Sequence, residues 1–150
     1  MKAPLTLCVS LALVASAGTA LADGAWQLTF DPAHDAMPTW SPDGSQIAIQ
    51  SDRSGDYDIW VIPASGGVAT RVTDDPAVDR SPDWSPDGDQ IAFQSDRSGD
   101  YDIWVVPASG GVATQITTDP AEDKNPTWCY VAIPQALLVA AKMAEVELSS

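Results

Sequence analysis

Trp40-Ser41-Pro42-Asp43-Gly44 and Ser51-Asp52-Arg53-Ser54-Gly55-Asp56-Tyr57-Asp58-Ile59-Trp60 decide the fold, because both stretches return 44 residues later, at 84–88 and, unchanged, at 95–104. Residues 63–70 return in the same way at 107–114. A third copy opens at Asp119-Pro120-Ala121 and holds through Trp128. The full copies, 31–74 and 75–118, differ at 10 of 44 aligned positions, a near identity that fits recent duplication as well as shared constraint. A fixed period of this size marks an array of small supersecondary units, none able to bury its apolar face alone. Such arrays present binding surfaces more often than they carry chemistry within one repeat.

Each copy parses into four strands. Residues 37–40 form a short first strand that ends at Ser41-Pro42-Asp43-Gly44, where Pro sets φ, Asp bonds locally and Gly takes positive φ. Residues 46–50 follow, with Ile47 and Ile49 on one face, and then a turn at 52–56. Residues 57–62 make a third strand, Ser65-Gly66-Gly67 a third turn, and the Val- and Thr-rich 68–73 a fourth strand. Helical spacing is absent from the copies. Ile59-Trp60-Val61-Ile62 is apolar on both faces, whereas a sheet with one wet face alternates. Blades sandwiched between neighbours satisfy that requirement, and four-stranded blades repeat every ~40–45 residues. The expected fold is therefore all-β: a β-propeller array of two complete four-stranded blades plus partial strands, an incomplete propeller, with a short C-terminal helix.

The run Asp-Pro, Pro-x-Trp-Ser-Pro-Asp-Gly, Ile-Ala, Ser-Asp-Arg-Ser-Gly, Asp-Ile-Trp-Val, Gly-Gly, Thr resembles the WD-repeat-like blade of TolB-type propellers. The resemblance covers roughly residues 26–128 and implies a non-catalytic protein-interaction module of the cell envelope. The same blades occur in the propeller domains of prolyl-oligopeptidase-like serine hydrolases, so part of such a domain is the alternative. The separate N-terminal α/β domain that precedes the propeller in TolB has no counterpart ahead of these repeats.

The array is bounded by two stretches of different character. At the N-terminus Lys2 precedes an apolar run at 5–15, and Ala20-Leu21-Ala22 makes a small-x-small cleavage signal before Asp23. Residues 1–22 thus read as a signal peptide, the repeats as 23–128, and the location as periplasmic or secreted. The run is shorter than the ~20 residues of a membrane span, and no span is expected after cleavage. Beyond Trp128 the repeat stops: Cys129-Tyr130 stands where Ser-Pro should begin, and 129–150 is an Ala- and Leu-rich tail with helical composition. Residues 26–30 align with 70–74, the outermost strand of an earlier blade, while 125–128 supply only the innermost strand of a later one. Two whole blades are fewer than the four to eight of typical propellers. Truncation or a shifted reading frame, self-assembly through exposed blade faces (three chains would give about six blades), and a divergent tail acting as a cap each account for this. The sharp boundary favours a frameshifted fragment, in which another frame after the Trp128 codon spells Ser-Pro-Asp-Gly again.

The formal net charge of −14 opposes nucleic acid and anionic lipid, so no nucleic-acid partner is expected. Protein partners are expected, of unknown identity. Cys8 lies in the leader, which leaves Cys129 and no internal disulfide. The cluster Asp52, Asp56, Asp58, repeated at Asp96, Asp100, Asp102, invites calcium, but it lacks the EF-hand spacing and encloses Arg53 or Arg97. It reads as turn chemistry with an Arg–Asp pair bracing the hairpin, and no metal or cofactor is expected. His34 faces Val78 in the second copy, Cys129 has no nearby histidine, and no Gly-x-Ser-x-Gly elbow occurs. No catalytic residue is therefore assigned. Trp40, Trp60, Trp84, Trp104 and Trp128 recur at the repeat period and read as blade packing, with Trp26 outside it. Binding residues stay unassigned.

Overall fold

The computed structural model describes residues 26–129. The leader and the C-terminal helix expected from sequence lie outside the described residues. Eight strands form two four-stranded antiparallel sheets in sequential order. The first holds β1 (Asp35–Trp40), β2 (Gln46–Ser51), β3 (Asp58–Pro63) and β4 (Thr70–Arg71); the second holds β5 (Asp79–Trp84), β6 (Gln90–Ser95), β7 (Asp102–Pro107) and β8 (Thr114–Gln115). Each sheet is one blade.

The turn chemistry acts as its residues dictate. The Ser41 hydroxyl donates to Asp43 at 2.7 Å and accepts the Gln46 amide at 2.9 Å. Gly44 N–H donates to the Ser41 carbonyl at 2.9 Å with φ +72°. Ser85, Asp87 and Gly88 repeat the arrangement. Three contacts therefore close one tight hairpin between β1 and β2, and β2 then pairs with β3 over its whole length.

Two strands differ from expectation. The inner strand starts earlier, at Asp35, and carries a bulge between Ala36 and Thr39, repeated between Arg80 and Asp83. Pro38 and Pro82 have no N–H for the ladder, and Met37 and Ser81 take φ of 52° and 53°, so the strand bends there. The outer strand is two residues long, although 68–73 has strand composition. Beyond Arg71 the Val72 amide still donates to the Ile59 carbonyl at 2.8 Å, and the Ile59 amide then donates to the Thr73 hydroxyl at 3.0 Å; Ile116 and Thr117 repeat this with Ile103.

The blades pack as a wedge. β5 lies against β1, β2 and β3 of the first blade. Ala48, Ile59, Val61 and Val72 from one blade and Trp84, Ile91, Phe93 and Val106 from the next make one buried cluster. Both faces of the Ile59–Ile62 run are thus used, since Ile47, Ile49 and Ile62 form a second cluster on the opposite face. There Leu28, 44 residues before Val72, packs against the first blade, although residues 27–30 are not a strand. With no preceding blade among the described residues, Trp40 is 56% exposed, whereas its counterpart Trp84 is 4% exposed.

Candidate functional site

The repeated acidic hairpins are braces. Asp52 accepts the His34 amide at 2.8 Å, tying the hairpin to the loop before β1, and Asp96 does the same for Val78. Asp58 is buried, accepts from the Ser54 hydroxyl, and pairs with Arg71 at 2.8 Å. In the second copy Gln115 replaces Arg71 and donates to Asp102 at 2.8 Å. The Arg–Asp pair that braces the hairpin takes its acid from outside the Asp52, Asp56, Asp58 cluster. Arg53 reaches instead to Asp35 on β1, with bonds of 2.8 and 3.0 Å, while its Nε donates to Ser51. The bracing is therefore between hairpin and inner strand. Among the described residues no three His, Cys, Asp or Glu side chains converge as a metal cage.

One ion pair occurs twice in different surroundings. Asp35 pairs with Arg53 and Asp79 with Arg97, each at 2.8 Å, but the Asp35 side chain is 14% exposed and that of Asp79 is 0% exposed. Burial raises the Asp35 pKa, yet hydrogen bonds from Ser51, Arg53 and Thr29 outweigh it and hold the carboxyl below its ordinary value. At Asp79 burial dominates, and the bonds from Ser95, Thr73 and Arg97 only partly offset it, so the pKa is raised. The difference arises because the first blade covers Asp79, whereas among the described residues no blade covers Asp35.

A shallow, open cleft of about 370 Å³ runs along the inner strands. Three equivalent tripeptides line it: Met37-Pro38-Thr39, Ser81-Pro82-Asp83 and Asn125-Pro126-Thr127. Their backbones superpose in kind, with φ of 52°, 53° and 54° at Met37, Ser81 and Asn125. Buried glutamines from the preceding blade hold them: Ser81 N–H donates to Gln50 at 3.1 Å and Asn125 N–H to Gln94 at 2.9 Å. Indoles lock the far end, Trp84 Nε1 donating to the Thr39 carbonyl and Trp128 Nε1 to that of Asp83, both at 3.2 Å. Asp83 accepts from the Thr39 hydroxyl at 3.3 Å and from the Trp128 amide at 2.8 Å. Residues 125–128 thus occupy the place expected of a third inner strand, without a ladder partner.

The cleft offers three proline rings, hydroxyls, an amide and one carboxylate, from β1, β5 and the segment 125–127. That set fits binding and supplies no nucleophile–base pair. Sequence reasoning left it unassigned, although the column Pro38, Pro82, Pro126 at the repeat period marks it. The other candidates lie elsewhere. His34 Nδ1 is hydrogen-bonded to the Tyr57 hydroxyl, 2.9 Å away on the surface, and Cys129 is exposed. Arg53 and Arg97 stack over Trp60 and Trp104 at 4.8 Å, so those indoles pack the blades, and Trp26 is exposed.

Residues 21–144 match the family model described as TolB beta propeller domain. Among solved structures the chain is similar to a TolB of Agrobacterium tumefaciens, with TM-score 0.57 and 28% identity, covering 62% of this chain and 37% of that one. It is similar also to TolB of Acinetobacter baumannii, with TM-score 0.57 and 23% identity over 69% of this chain and 26% of that one. The AtxE2 isopeptidase shares the fold, with TM-score 0.50 and 18% identity over 64% of this chain and 20% of that one. The chain thus spans 37% or less of the length of these structures. No curated protein sequence matches it.

Proposed function

We propose, from the premise that this chain belongs to the TolB beta propeller domain family, that it is a non-catalytic protein-interaction module of the bacterial cell envelope. The two blades act as a section of a longer propeller. The signal-peptide pattern of residues 1–22 supports export to the periplasm or beyond. The observation that carries the reading is the inner-strand cleft, where three equivalent Pro-containing tripeptides, two of them on β1 and β5, present apolar rings beside hydroxyls. An extended segment of a partner protein matches such a strip, since it can lay side chains on the prolines and exchange hydrogen bonds with Thr39, Ser81 and Asn125.

A photo-crosslinking side chain at Met37, on the cleft, tests this against the same side chain at Val68, an exposed residue near β4. A discrete adduct from position 37 in envelope fractions, and none from 68, is the expected result. No adduct, or the same adducts from both, overturns the reading. Export is checked by N-terminal sequencing, with Asp23 as the expected first residue. The likeness to AtxE2 supports a second reading, as part of the propeller of a serine hydrolase, and in that case the adduct at 37 carries a serine-hydrolase domain that reacts with a fluorophosphonate probe.

A further inference from the structure

Among the described residues every lysine and arginine but one stands in an ion pair: Arg53 with Asp35, Arg71 with Asp58, Arg97 with Asp79 and Lys124 with Glu122. The exception is Arg80 on β5. Its guanidinium lies 4.7 Å over the centre of the Tyr57 ring, and the residue is half-buried. Its Nε is buried and has no hydrogen-bond partner among the described residues. The charge therefore has no counter-ion on the protein side, in a chain with 21 acidic residues against 7 lysines and arginines.

The next repeat holds the same arrangement with a carboxylate in place. The Asp79 amide donates to the Tyr57 carbonyl at 2.7 Å, and the Asp123 amide to the Tyr101 carbonyl at 2.6 Å, so each following cation is brought over the equivalent tyrosine. Lys124 stands 4.9 Å over Tyr101, and the Glu122 carboxylate meets it at 2.5 Å. The counterpart of Glu122, 44 residues earlier, is Val78, which brings no charge to Arg80. One stacked cation is capped by its own chain and the other is not. The Tyr57 platform is itself held, because its hydroxyl is hydrogen-bonded to His34 Nδ1 at 2.9 Å.

We propose that Arg80 on its Tyr57 platform is a binding site for a carboxylate from outside the chain, the acidic side chain of a partner protein, in the place that Glu122 takes on Lys124. With Nε turned inward, the two Nη groups are the donors open to a ligand, and their planar spacing matches both oxygens of one carboxylate. The chain's net charge of −14 selects a monoanion, since it repels a polyanion more strongly than a single carboxylate. Arg80 directly precedes Ser81 of the cleft, so assigning the carboxylate to a partner segment rests on the reading of that cleft. Recognition of the carboxylate itself does not.

NMR of the isotope-labelled full chain tests this through the Arg80 Nε–H resonance, which burial shields from exchange with water and which Arg80→Gln or Arg80→Lys identifies by its loss. The probes are N-acetyl-Gly-Asp-Gly-amide and its uncharged Asn analogue. The expected result is a saturable shift of the Arg80 resonance in the millimolar range with the acidic peptide and none with the neutral one, while the Nε–H resonances of Arg53 and Arg97 stay in place. Val78→Glu supplies the carboxylate that the second repeat has. In that variant the resonance is expected to be displaced before any peptide is added, and the peptide to bind at least about tenfold more weakly, the worth of one charge-assisted hydrogen bond. No shift, the same shift with both peptides, or unchanged binding in Val78→Glu overturns the proposal. A response only to N-acetyl-Gly-Gly-Gly, whose carboxylate is C-terminal, overturns the assignment to a side chain. The crosslink from Met37 reads the cleft separately: an adduct there with an unresponsive Arg80 leaves the cleft standing and removes only this site.

Discussion

Arg97→Met and Arg53→Met remove the same group from the same motif, and the structure makes their consequences unequal. Methionine keeps most of the stem that lies over Trp104 or Trp60, so the main loss is the guanidinium. Arg97→Met strands Asp79, whose side chain has no contact with solvent. Breaking a buried pair by removing one partner costs about 3–5 kcal/mol. Arg53→Met strands Asp35, which keeps 14% of its side chain in water and its bonds from Ser51 and Thr29. Its expected cost is about 1–3 kcal/mol, that of a lost charge-assisted hydrogen bond. The pH dependence separates the two further. Asp79 already titrates above its ordinary 3.8, and loss of Arg97 raises it more. Between the folded pKa and 3.8 the folded state binds a proton that the unfolded chain does not. Stability of Arg97→Met therefore rises as pH falls through that window, by up to about 1.4 kcal/mol per pH unit. Asp35, Asp43 and Asp87 are lowered, so their contribution is intact above 3.8 and does not mask the effect. Urea unfolding of both variants at pH 7.0, 6.0, 5.0 and 4.5 (about one or half a unit apart) is the assay. Equal costs within about 0.5 kcal/mol, or a flat profile for Arg97→Met, would refute the argument that the neighbouring blade sets the chemistry of this pair.

Phe93→Ala, at the centre of the cluster between the blades, is expected to cost about 3–5 kcal/mol in urea unfolding and to lower one common transition instead of splitting it into two. Asp43 titrates at about 2, lowered by the hydroxyl of Ser41 and the amide and hydroxyl of Ser45, so its contribution is lost only as pH falls from 3.8 through 2; Asp43→Asn should flatten that part of an acid-unfolding curve followed by tryptophan fluorescence. Millimolar calcium should leave the melting temperature within about 1 °C, because Asp52 and Asp58 are engaged by His34 and by Arg71, whereas a site filled at 100 times its dissociation constant adds about 2.7 kcal/mol.

What the sequence made legible was local. Ser-Pro-Asp-Gly closes within six residues, so its chemistry is complete in the words of the motif, and Ile47, Ile49 and 59–62 announce strands by their spacing and two-sided apolarity. Contacts that join distant residues were not legible in that way. Arg53 sits among Asp52, Asp56 and Asp58, yet its partner is Asp35, because the loop before β1 folds back on the hairpin. The Val- and Thr-rich 68–73 has strand composition, but only Thr70–Arg71 forms a strand, and after the Val72 amide bond the Thr73 hydroxyl takes the place of a backbone acceptor. The cleft was hidden for a similar reason. Its residues are 44 apart, and only the stacking of inner strands makes Pro38, Pro82 and Pro126 neighbours. A positive φ at methionine, before proline, has no signal in residue type.

The indole bonds of Trp84 and Trp128 point one way along the chain, each from a later inner strand to the carbonyl of an earlier one. An acceptor is therefore always in place before its donor is synthesised or translocated. A polypeptide delivered N-terminus first can seat every new inner strand on an acceptor already made, while the apolar face of each blade is closed by the next. Assembly of this kind is vectorial: its order is written into the direction of the indole bonds, and delivery in the opposite sense would leave each indole N–H waiting for a carbonyl still to come.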